Sequence, residues 1–261
     1  MGGALRKLVT GLSLAAIAAV GLSGCGGGAS AAPPPHGVAD QIAQNDGDLH
    51  AAIDAWRSGG DPPSSPAPAD VVDRAGELQD QVANLGDHPN LARRVIPLLG
   101  GSLRGEINRL YRARRALLRL SAGSRHKKLK LAQRPPLADL VSFYGEAERR
   151  FGIGANYLAA IHLVETKFGR VVSNSVADAQ GPMQFIPTTW EIYGNGGDIR
   201  DPHDAILAAA RLLRANGAPR RYGPALRAYN PSGLYVEAVT RYAREIAADP
   251  YAIYYLYTWE P

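Results

Sequence analysis

Along most of this chain, apolar residues return every three or four positions, the period of a helix with one buried face. The pattern predicts helices over residues 38–57, 69–85, 91–99 and 103–120 in the first half, and over 137–151, 155–168, 204–216 and 235–248 in the second. Within 103–120, Leu103, Ile107, Leu110, Leu117 and Leu118 share one face, while Arg104, Arg112, Arg115 and Arg119 line the other. Gly169 is placed to stop the 155–168 helix as a left-handed residue just past its end. No convincing apolar–polar alternation predicts a strand, so the expected fold class is all-α.

Gly and Pro divide the chain. Residues 25–37 are Gly/Ala/Pro-rich and read as a flexible tether. A break at 58–68 carries four prolines and interrupts an N-terminal helical region spanning 38–122. Residues 123–136, basic and closed by Pro135 and Pro136, read as a linker to a second unit at 137–261.

The first residues change the picture of where the chain works. Arg6 and Lys7 precede an apolar run from 8 to 20, too short for the ~20 residues of a bilayer-crossing helix but suited to an export signal. The run ends in Leu22-Ser23-Gly24-Cys25, which resembles the bacterial lipobox. That resemblance implies removal of residues 1–24 and acylation of Cys25, with the protein held on the outer face of the cell membrane. Cys25 is the one cysteine of the chain, which excludes a disulfide within it.

The formal charge is +5 and falls to +3 without Arg6 and Lys7, yet between Arg104 and Arg134 there are eleven Lys or Arg and a single acid, Glu106. Such a block reads as a footprint for an anionic surface. Export argues against nucleic acid, leaving lipid headgroups, wall polymers or acidic peptide stems; a solvated basic helix face with no partner is the other reading.

One residue carries the candidate chemistry. At ~100° per residue, Glu165 falls among Leu158, Ile161 and Phe168 in the apolar stripe of its helix. It also lies in the last turn, where the negative end of the helix dipole disfavours a carboxylate. Burial and dipole both raise a carboxyl pKa, which suits a general acid working near neutral pH. The alternative is an outward Glu165 paired with Lys167 or Arg170.

The residues that follow resemble the lytic murein transglycosylases, whose catalytic domain has a lysozyme-like helical fold. The matching pieces are Val164-Glu165-Thr166 before Phe168-Gly169-Arg170, then Gly181-Pro182-Met183-Gln184-Phe185-Ile186-Pro187 with Thr189-Trp190, and finally Ala228-Tyr229-Asn230. The wording is most similar to the actinobacterial and membrane-bound branches. The N-terminal half lies outside the resemblance.

The resemblance implies that Glu165 is the catalytic acid/base and that Met183, Gln184, Tyr229 and Asn230 bind the peptidoglycan glycan strand. The amide of Gln184 can hold N-acetyl or hydroxyl groups or tie its own loop; Tyr229 can give its hydroxyl to Glu165. Asn230 can hold a substrate amide or form an ordinary turn before Pro231. Met183 is the expected substrate contact and Phe185 the core residue, although either could be core.

The implied reaction uses one carboxyl twice. Glu165 protonates the oxygen between N-acetylmuramic acid and N-acetylglucosamine, then accepts the muramoyl C6 hydroxyl proton as a 1,6-anhydro ring closes without water. An inverting hydrolase of goose-type-lysozyme kind needs a second carboxylate, for which Asp178 is the candidate. A non-catalytic peptidoglycan-binding lipoprotein is a third reading. The six histidines show no metal spacing, Gly194-Asn195-Gly196-Gly197-Asp198 lacks the acidic ladder of a calcium loop, and no cofactor or metal is expected.

Replacing Cys25 by Ala should give exported protein that leaves the membrane fraction. Undiminished retention after a high-salt wash would contradict acylation there.

Overall fold

The computed structural model describes residues 34–122 and 128–261; the expected export signal, Cys25 and most of the expected tether lie outside these residues, as do 123–127 of the expected linker. Eleven α-helices and no named strand occur among the described residues, so the all-α expectation holds. The N-terminal region contributes α1 (Pro35–Arg57), α2 (Ala69–Asp87), α3 (Pro89–Val95) with a 3-10 turn at Ile96–Leu98, and α4 (Gly101–Ser121). The second half contributes α5 (Leu137–Phe151), α6 (Ala155–Thr166), α7 (Pro187–Tyr193), α8 (Pro202–Ala215), α9 (Tyr222–Tyr229), α10 (Gly233–Ala248) and α11 (Ala252–Thr258). None is long and apolar enough to cross a membrane.

Proline opens several of these helices. Pro35, Pro89, Pro187 and Pro202 stand at the first helical position, where the missing N–H costs nothing and the fixed φ is already helical. Asp201 and Ser232 cap α8 and α10 by accepting from Asp204 N and Leu234 N. The sequence pattern misses α7, α9 and α11, each eight residues or fewer. In α11 the run Ala-Ile-Tyr-Tyr-Leu-Tyr-Thr has strand-like composition, and packing against α2, α6 and α10 overrides that preference.

The core is continuous across the expected boundary. α10 packs along both α4 and α6, α11 lies on α2, and one apolar cluster runs from Val38 to Trp259. Of the face the periodicity predicts, Ile107, Leu110 and Leu117 of α4 are buried, with Ala113, Ala116 and the acid Glu106, while Leu103 and Leu118 are half-buried. Residues 130–132 form a strap beside 170–172: Ala132 N donates to Arg170 O and Val172 N to Lys130 O, both at 2.9 Å. Arg134 then donates to the Lys167 and Trp259 carbonyls and pairs with Glu260.

Each fully buried Leu or Ile contributes ~1.5–3 kcal/mol, and α4 and α2 bury many such side chains against α10 and α11. A chain beginning at residue 128 should therefore lose cooperative unfolding and aggregate. A soluble truncated chain with the melting temperature of the full one would contradict the shared core.

Candidate functional site

α6 is apolar nearly all round, and its nine residues from Leu158 to Thr166 are all buried. A helix hydrophobic on every side belongs in the middle of a fold. Here α5, α8, α10 and α11 surround it. Glu165 is thus buried because its whole helix is enclosed, rather than through membership of one stripe.

The helix ends earlier than expected. Lys167, Phe168 and Gly169 take φ values of 53°, 58° and 82°, so three successive left-handed residues reverse the chain directly after Thr166. Thr166 secures the reversal: its Oγ1 donates to Pro182 O at 2.6 Å and accepts from Gly169 N at 3.0 Å. The hydroxyl beside Glu165 thereby fastens the end of α6 to the Gly181-Pro182 loop.

Glu165 is 4% exposed. Oε1 accepts from the hydroxyl of Tyr235 at 2.7 Å, and Oε2 is buried without a hydrogen-bond partner among the described residues. Burial pushes the carboxyl up to about 8, with the Tyr235 hydrogen bond pulling weakly the other way. Tyr235, itself buried, is raised well above 10 and stays a donor. Lys167 and Arg170 serve elsewhere: the Lys167 ammonium lies 5.8 Å from the Trp259 ring centre, and Arg170 pairs with Glu260. His162, one turn earlier, is held neutral by burial at about 3 and faces the Tyr144 hydroxyl at 2.7 Å.

Tyr229 does not reach Glu165 as expected. Its hydroxyl donates to Met183 O, and its ring stacks parallel to Tyr235 at 6.3 Å. Phe185 lies against Tyr229 and Trp190, so aromatic rings run from Trp190 to the acid. The residue that sequence reasoning misses is Tyr235, in the first turn of α10. The signal was its place five residues beyond Asn230, on the apolar side of a helix start.

The loop residues are tied to one another. Gln180 and Phe185 exchange backbone hydrogen bonds at 2.8 and 2.9 Å around the turn. Gln184 Nε2 donates to Gly181 O at 3.0 Å, the loop-tying alternative, and its side chain is 5% exposed. Met183 has 0% exposure and Phe185 3%, the core alternative for both side chains, and the Met183 carbonyl accepts from Tyr229. Asn230 is buried, closes α9 through its N–H to Leu226 O, and accepts from Ser232 N in a turn.

Asp178 is exposed, and its two oxygens accept from Asn174 Nδ2 at 2.9 Å and Gln180 Nε2 at 3.3 Å. A cavity of about 100 Å³ touches residues 164–167 and is walled by Gln79, Arg114, Tyr242 and Trp259; neither Gln184 nor Asn230 lines it. Residues 194–198 form a turn, with Asp198 N donating to Asp204 Oδ2.

The fold and site define an all-α domain with the carboxyl of Glu165 enclosed at its centre. Residues 142–251 match the family model described as Transglycosylase SLT domain. This segment is a lytic transglycosylase-like domain of lysozyme-like helical fold. No curated protein and no solved structure matches the chain.

Gly181 anchors the loop: it has φ +71°, and a Cβ there would stand 1.8 Å from Ile199 O. Gly181→Ala should destabilise by about 2–4 kcal/mol in denaturant unfolding, combining left-handed strain with a backbone clash. A change below ~0.5 kcal/mol would show that the turn relaxes freely.

Proposed function

We propose that this protein is an exported peptidoglycan lytic transglycosylase, held at the membrane's outer face by acyl chains on Cys25. It cleaves the bond between N-acetylmuramic acid and N-acetylglucosamine and leaves 1,6-anhydromuramoyl ends. The observation that carries this reading is the buried carboxyl of Glu165, which has no basic partner among the described residues, inside the segment that matches the transglycosylase model.

A carboxyl raised to about 8 is mainly protonated at neutral pH and so stands ready as an acid. Glu165 gives its proton to the glycosidic oxygen; the bond to muramoyl C1 breaks, and the N-acetylglucosamine end leaves as an alcohol. The carboxylate, held by the Tyr235 hydroxyl, then takes the proton of the C6 hydroxyl as O6 bonds to C1. Burial favours this return, because the charged carboxylate is the costly form. No water enters the balance. Asp178, exposed and bonded within its own loop, gives little support to the inverting hydrolase, which needs a second carboxylate roughly 6.5–9.5 Å from the first.

Gln184 and Tyr229, tied to the 181–183 loop, and Asn230 at the end of α9 support the reading by their place in the matched segment, and direct substrate contact by them is part of the proposal. An open basic groove of about 420 Å³, lined by Arg93, Arg112, Arg115 and Arg119, favours contact with anionic wall polymers or lipid headgroups.

Mass spectrometry of muropeptides released from purified walls should find products one water lighter than lysozyme's. Glu165→Gln should abolish release, and Asp178→Asn should retain most of it. Reducing-end products, with Asp178→Asn inactive by 10²–10⁴-fold, would instead indicate a hydrolase.

The pH dependence has a defined sign. A carboxyl raised from 4.5 to about 8 contributes its full stability below pH 4.5 and loses it as pH climbs toward 8, because the unfolded chain releases the proton first. Glu165→Gln should thus stabilise the fold by on the order of 3 kcal/mol at pH 7 relative to pH 4. Wild-type activity should fall above pH ~8 as the acid is lost. A variant with no pH-dependent gain in stability would contradict the burial of this acid.

A further inference from the structure

A second group of ionisable side chains lies where the N-terminal helices meet α10. Asp46 and His50 stand one turn apart on α1, Glu106 projects from α4, and Glu245 and Asp249 come from the end of α10. Potential ligand atoms of Asp46, His50 and Glu106 all lie within 4.8 Å of one another, and so do those of Glu106, Glu245 and Asp249. Glu106 belongs to both sets.

Two observations separate this group from an ordinary polar patch. Asp46 Oδ1, His50 Nε2, Glu106 Oε1 and Asp249 Oδ2 are each buried with no hydrogen-bond partner among the described residues. Glu106 is itself only 4% exposed. His50 Nε2 and Asp46 Oδ1 face each other at 3.5 Å without hydrogen-bond geometry. Unpartnered buried polar atoms are costly singly, and four converging ones are rare in a native fold.

Charge supplies the second observation. Four carboxylates converge; Arg109 is bound to Glu245, and His50 lies against Asp46. Burial and the neighbouring acids hold Glu106 up at about 9. A proton on Glu106 would relieve one charge and supply one donor, too few for the four unpartnered atoms.

We propose that the α1–α4–α10 junction is a divalent transition-metal site, held by Asp46, His50 and Glu106 and completed by Asp249 and Glu245. One imidazole nitrogen among carboxylate oxygens suits zinc or manganese; calcium and magnesium favour all-oxygen sets, and no thiolate is present to select a softer ion. Zinc ligands at ~2.0–2.2 Å require the group to close by about an ångström, which carboxylate rotation supplies. Tyr235, which meets Glu165, lies ten residues before Glu245 on α10, roughly 15 Å along the helix axis. The ion is thus a structural clamp between the N-terminal helices and the helix that supports the acid, not a reagent.

The test uses the full chain. Metal content is measured by plasma mass spectrometry after dialysis against EDTA, zinc chloride or manganese chloride, and thermal unfolding is followed in each state. About one ion per chain is expected from one of the two salts, and its removal should lower the melting temperature by roughly 5–10 °C. Glu106→Gln has the shape of the protonated acid but lacks the charge a ligand needs; it should bind no metal and ignore EDTA. His50→Gln provides the same readout should the first variant fail to fold. No uptake of either metal with a melting temperature that EDTA does not move would overturn the site, as would metal retained by both variants.

Discussion

The second half of the chain depends on enclosing the carboxyl of Glu165 inside a helix that has no solvent-facing side over its last turns. Glu165 cannot be relieved by turning outward, because neighbours surround it on α6 and the chain reverses immediately beyond it. The same reversal lets Thr166 hold the Gly181 loop, so the acid and the loop that frames it are fastened by adjacent residues. A buried carboxyl with one good hydrogen bond is poised between its two protonation states: burial favours the neutral form, and Tyr235 limits the cost of the charged one. That balance is what a group used first as acid and then as base requires.

The sequence made the long helices legible because each must bury one face, and α5 appears at the bounds its periodicity predicts. The short helices were not legible, since seven or eight residues give barely two turns of pattern and tertiary packing decides their state. Glu165 could be singled out from its apolar neighbours, though the reason for its burial is the enclosure of all of α6. Which tyrosine meets the acid could not be read: Tyr229 and Tyr235 are both near Asn230 in the chain, and the packing of α10 on α6 is what brings Tyr235 to Oε1. Met183 and Phe185 were ambiguous for the same reason, because exposure at a turn depends on what packs above it. Gly181 and Thr166 have roles visible only once Ile199 and Pro182 are in place.

The N-terminal helices are more than a spacer. Through α4 they pack along α10, which also packs on α6, and Arg109 crosses that junction to reach Glu245. The basic block splits accordingly: Arg109 and Arg134 are spent on internal ion pairs, Arg115 donates to Gly86 O, and Arg112 and Arg119 stay exposed beside the groove. The fold therefore places Tyr235, which meets Glu165, near one end of α10 and the carboxylates of Glu245 and Asp249 at the other.

The central claim is that Glu165 is a buried acid still protonated near neutral pH. Carbon-13 labelling of glutamate carboxyls, with Glu165 assigned from the Glu165→Gln spectrum, measures this directly by NMR titration. A midpoint near 8 is the expected result, moving higher still in Tyr235→Phe as the hydrogen bond to the carboxylate is lost. A midpoint near the ordinary 4.5, unmoved by Tyr235→Phe, would contradict the account.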